Sequence, residues 1–168
     1  EKNASEANRI LDAIPPLHNA PDYLLFKAEI AEYENNIDAK NRYLASYFEA
    51  IDNKDYGDMY NVYSSKILAD TKNEKAITLA KIEVENRPTP LSYDLLAWSY
   101  YNNGDVKKAL TIAEQYVLGQ TFEPEAQYHI AAIYKANGKL KEVAELKKEL
   151  QESSYELGPL TTKVVNQL

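Results

Sequence analysis

The chain has 168 residues, 45% of them hydrophobic and 27% charged, with five Gly and seven Pro; this composition supports a buried core and excludes disorder or low complexity. A net charge of −7 excludes nucleic-acid binding through clustered Lys and Arg and leaves neutral or basic partners favoured. The absence of cysteine excludes disulfides, thiolate metal sites and cysteine nucleophiles, and no apolar run reaches the roughly eighteen residues of a membrane span.

Glu1 stands first without an initiator methionine, so the chain is expected to be processed or cut from something longer. Its Asn-, Lys- and Tyr-rich composition suggests a bacterial periplasmic or exported protein, though composition alone leaves the compartment unknown.

In chain order, residues 4–14 read as a lone second helix whose partner is missing. A Pro-rich turn holding His18 follows, and residues 21–54 then form a degenerate unit with Lys40 and Asn41 where small residues are expected. Asp52, Asp55 and Asp58 lie three apart around a turn, but without a terminal glutamate they do not make a calcium loop. In residues 56–89 the first helix carries Tyr60, Tyr63-Ser64 and Ile67, and the second carries Ala76, Leu79, Ala80 and Glu83. In residues 90–123, Tyr93, Leu96, Ala97 and Tyr100 recur at helical spacing and share one face. Asn103-Gly104-Asp105 follows, and then a second helix with Ala109, Ile112, Ala113 and Tyr116. Residues 124–158 repeat the scheme, with Ile130, Ala131, Ile133 and Tyr134 before Asn137-Gly138-Lys139, and Val143 in the place of a small residue. Residues 159–168 read as a C-terminal capping helix, and all six stretches belong to one domain spanning 1–168.

The period is marked by turns. Asn36, Asp70, Gly104 and Gly138 follow one another at intervals of 34, and each is a residue type that tolerates a left-handed backbone. Pro90 and Pro124 stand at the same interval, where proline suits the first turn of a helix.

These marks resemble the tetratricopeptide repeat, a helix pair with a bulky residue, a large-small pair and an aromatic on its first helix. Tyr93, Leu96-Ala97 and Tyr100 fit that pattern, as do Tyr60, Tyr63-Ser64 and Ile67, while Ala76 and Pro88 match the second-helix alanine and terminal proline. The resemblance implies an all-α fold, an α-solenoid of antiparallel helix pairs wound as a right-handed superhelix, with a concave groove lined by the first helices. Beside the packing face those helices carry Leu25, Glu29, Glu32 and Tyr33, then Asn61, Ser65 and Leu68. Further on they carry Asp94, Trp98, Tyr101 and Asn102, then Tyr128, His129, Ala132 and Lys135.

Trp98 and Tyr101, three apart, are read either as exposed anchors for a partner or as core packing. Tyr63, Tyr100 and Tyr134 are assigned to packing. Glu29, Glu32 and Asp94 suit a Lys or Arg from a peptide, or are simply the solvated side of their helices. Lys135 and Asn102 suit a carboxylate. His18 and His129 lack metal-ligand neighbours in sequence, and a surface or lightly packed histidine is the default for each. No phosphate loop or nucleophile elbow occurs, so no cofactor, metal or catalytic role is expected. A non-catalytic scaffold that binds a protein or peptide is the leading expectation, as a monomer or with weak self-association; a structural spacer and an accessory region of a larger enzyme are the alternatives.

Overall fold

The computed structural model describes residues 3–14 and 20–168; His18 lies outside them. Among these residues the chain is all helical, with α1 at Ala4–Ala13, α2 at Asp22–Tyr33, α3 at Ile37–Ile51, α4 at Asn61–Asp70 and α5 at Lys75–Asn86. There follow α6 at Pro90–Asn102, α7 at Val106–Tyr116, α8 at Pro124–Ala136, α9 at Leu140–Glu152 and α10 at Ser154–Val165. The chain divides into two compact units, Glu1–Asp58 and Met59–Leu168. In the first, α2 packs on both α1 and α3; in the second, each helix from α4 to α10 packs on its neighbour in sequence. The second unit has a further set of contacts, α4 with α6, α6 with α8 and α8 with α10.

Helix starts follow local chemistry. The side chains of Asn3, Asn36, Thr89 and Asp105 accept from backbone N–H groups in the first turns of α1, α3, α6 and α7, satisfying donors that have no partner within the helix. Pro90 and Pro124 open α6 and α8, as the spacing predicts. Gly158 (φ 71°) and Pro159 kink α10, so the expected capping helix at 159–168 is its second half.

Four turns between paired helices are equivalent, and their hydrogen bonds define the register. The amides of Asn36, Asn73, Asp105 and Lys139 donate to the carbonyls of Ala31, Leu68, Tyr100 and Tyr134 at 2.8, 3.0, 3.0 and 3.0 Å, each bond spanning five residues to end its helix. The residue just before each donor is left-handed: Asn35 (φ 59°), Lys72 (φ 56°), Gly104 (φ 91°) and Gly138 (φ 74°). Gly104 and Gly138 are as expected, but Asn36 and Asp70 are not the left-handed positions. Asn36 has φ −92° and caps α3, while Asp70 is the last residue of α4. The turns thus recur after 37, 32 and 34 residues, a long interval compensated by a short one.

Counting from these turns aligns the core. Three residues before each accepting carbonyl stand Ala28, Ser65, Ala97 and Ala131, exposed by only 3%, 0%, 0% and 0%. Small side chains there let helix backbones approach closely. In the first unit Ala39 supplies the buried small residue of α3, just before Lys40 and Asn41, where that small residue was expected. The core of the second unit is built from Leu95, Leu96, Ala97, Tyr100, Ile112, Ala113, Ile130, Ile133 and Tyr134, with Val143 among them. Tyr100 and Tyr134 pack as expected; Tyr63 stays 45% exposed, its ring tilted against that of Tyr60 at 6.3 Å.

Candidate partner-binding site

Within the second unit, α6 and α8 lie side by side and bring together residues 35 apart. His129 Nδ1 lies 2.8 Å from Asp94 Oδ2, and both side chains are buried. A carboxylate only accepts, so Nδ1 carries the hydrogen and donates it. The His129 ring stacks on Trp98 at 4.0 Å between centroids and 15° between planes, and Tyr101 stacks on the indole at 5.0 Å. Tyr128 leans on the same indole at 5.7 Å, and Leu68, Ala69, Ala76 and Ala132 pack around it. Trp98 is 9% exposed. Of the two alternatives held open for it, packing between neighbouring helices is the one realised, because its ring faces fill the space between α6 and α8.

Several other expected positions change as a result. Ser65 is buried, a counterpart of Ala97 facing α5: its hydroxyl donates to the Ala76 carbonyl at 2.9 Å and lies 3.3 Å from Ser99 Oγ. It is therefore absent from any binding face. Asp94 is buried against His129 rather than solvated, and His129 is core rather than a lightly packed surface residue. Asn102 is half-buried and donates to the Trp98 carbonyl at 3.0 Å. Lys135 is exposed, and its ammonium donates to the Gln167 carbonyl at 2.8 Å. Asn61 is half-buried, with its Nδ2 buried and without a hydrogen-bond partner. Glu29, Glu32, Tyr33 and Leu25 belong to the first unit: Glu29 is exposed, Tyr33 and Leu25 are half-buried, and Glu32 pairs with Lys40 at 2.7 Å.

A cleft of about 170 Å³ opens where α4, α6 and α8 approach one another, near the N-terminal ends of α6 and α8. Val62, Leu91, Leu95 and Ala126 give it apolar walls, and Lys66, Asp94, Glu123 and Glu125 supply charge. Of these eight residues only Asp94 was singled out from sequence. The faces read from helical spacing lie along the middle of the first helices, whereas the cleft lies where the helices begin, at Pro90 and Pro124. The Lys66 ammonium donates to the Glu125 carboxylate across 59 residues of sequence. Burial pushes the Glu125 carboxyl up, but the Lys66 ammonium beside it, with His129 nearby, outweighs this and holds the group below its usual range. Burial, with Tyr101 and Asp70 nearby, pushes the Tyr128 phenol up.

The volume decides what the cleft admits. Drug-sized and cofactor ligands occupy roughly 300–1,000 Å³, whereas a cavity of about 150 Å³ takes a group the size of benzene. The cleft has room for a group the size of one side chain. Among the described residues no group of three or more His, Asp or Glu is placed to hold a metal ion, and no helix is long and apolar enough to cross a membrane. No family model matches the chain, and no curated protein or solved structure is found to match it.

Proposed function

We propose that the second unit is a non-catalytic interaction module of the tetratricopeptide kind, a short solenoid that receives a partner peptide across α4, α6 and α8. The observation that carries this is the cleft, to which three first helices each contribute apolar and charged side chains and whose volume suits one residue of a larger partner. Four equivalent turns and the contacts of α4 with α6 and α6 with α8 support the repeat architecture. The buried state of Trp98 moves the anchoring role from the indole to the neighbouring cleft, whose most exposed apolar residue is Leu91 at 50%.

Selection of displayed random peptides on the wild-type protein tests this reading. Enriched peptides should lose binding to Leu91→Asp while its unfolding free energy stays within about 0.5 kcal/mol of wild type, as for an exposed position. No enrichment, the result a pure spacer would give, or binding unchanged by Leu91→Asp, would remove the proposal.

A further inference from the structure

We infer that the occupant of the α4/α6/α8 cleft is a lysine side chain of the partner peptide; this rests on the interaction reading above and specifies its partner. The walls set two requirements at once. Val62, Leu91, Leu95 and Ala126 offer an aliphatic lining, which favours an unbranched apolar stem. Of the three carboxylates at the cleft, Asp94 is held by His129 and Glu125 by Lys66, while that of Glu123 is exposed at the rim. A lysine satisfies both, laying four methylenes along the lining with its ammonium at Glu123 and Glu125. An acidic residue would meet like charge, and a purely apolar one would bring no cation to Glu123. The chain's net charge of −7 draws a basic segment toward the same place.

Lys66 is the resident competitor. It is partly exposed, and its ammonium occupies Glu125. An incoming lysine therefore shares or displaces that contact, and removing the Lys66 charge should strengthen binding, an effect opposite to that of losing an ordinary wall residue.

The test is an NMR titration of the full chain with three short acetylated peptides that differ only at a central Lys, norleucine or Glu. Norleucine keeps the aliphatic stem without the charge. The Lys peptide should shift the amides of Leu91, Leu95 and Ala126 and bind about fivefold tighter than the norleucine peptide, the scale of a partly exposed ion pair. Lys66→Met should tighten the Lys peptide, Glu123→Gln should weaken it, and added salt should reduce the preference. Norleucine or Glu bound as tightly as Lys, or Lys66→Met that weakens Lys binding, overturns the inference and leaves the interaction module standing. If no peptide moves these amides at millimolar concentration, the lysine site is refuted, and the display selection decides separately whether the module binds peptides at all.

Discussion

Ser65 and Ala97 show how a single atom changes the reading of a position. Both sit three residues before the carbonyl that ends their helix, and both are fully buried. Alanine announces close packing from sequence, whereas serine suggests a surface until its hydroxyl is seen bonded to the Ala76 carbonyl. Asp94 and His129 were legible as polar residues on first helices, but their pairing depends on the α6 and α8 approach. Replacing His129 by Ala removes the donor from a buried carboxylate and one stacked face from Trp98, so the variant should lose about 3 kcal/mol. Asp94→Asn keeps an oxygen to accept from Nδ1 and should lose nearer to 1 kcal/mol. Denaturant unfolding checks that order, and Trp98, the only tryptophan, reports the lost stack through its emission. Equal losses in the two variants would show that the carboxylate is not held by the histidine.

At the scale of the element, the helix-ending turn is the repeated object. Gly104 and Gly138 supply left-handed conformations at no steric cost, and the added Cβ of any other residue there would meet nothing within 4 Å. A penalty for Gly104→Ala is therefore conformational alone, about 1 kcal/mol of lost stability. Lys72 occupies the equivalent place with φ 56° and bears that strain natively. Lys72→Gly should relieve it and raise the melting temperature by about 2–4 °C. Calorimetry of both variants tests the equivalence of the turns; a stabilising Gly104→Ala or a destabilising Lys72→Gly would contradict it. The helices, the two proline starts and two of the four left-handed residues were legible in the sequence. The other two were hidden because the intervals of 37 and 32 sum nearly to twice the expected period, so an even count from Asn36 stops at Asp70, two residues short of Lys72.

For the whole molecule, the division into Glu1–Asp58 and Met59–Leu168 has a direct consequence. The candidate cleft, the Trp98 cluster and the largest core all lie in the second unit, so that unit should keep its structure without the first. Lys54 is exposed in the short 3₁₀ turn Lys54–Tyr56 that precedes the division. Limited trypsin digestion should cut after Lys54 and leave a fragment carrying α4–α10 with its helical circular dichroism intact, identified by mass. A fragment that unfolds on release would show that the second unit depends on the first.

The sequence by itself determined the helices, the proline starts at Pro90 and Pro124 and the turns at Gly104 and Gly138, because periodicity, proline and glycine act through the few residues on either side of them. Only the tertiary structure decided that Trp98 is enclosed, that His129 meets Asp94, and that Lys66 and Glu125 share a cleft. Those outcomes depend on which faces of separate helices meet, and a shift of a residue or two in the interval between turns turns a helix enough to exchange its buried face for its exposed one.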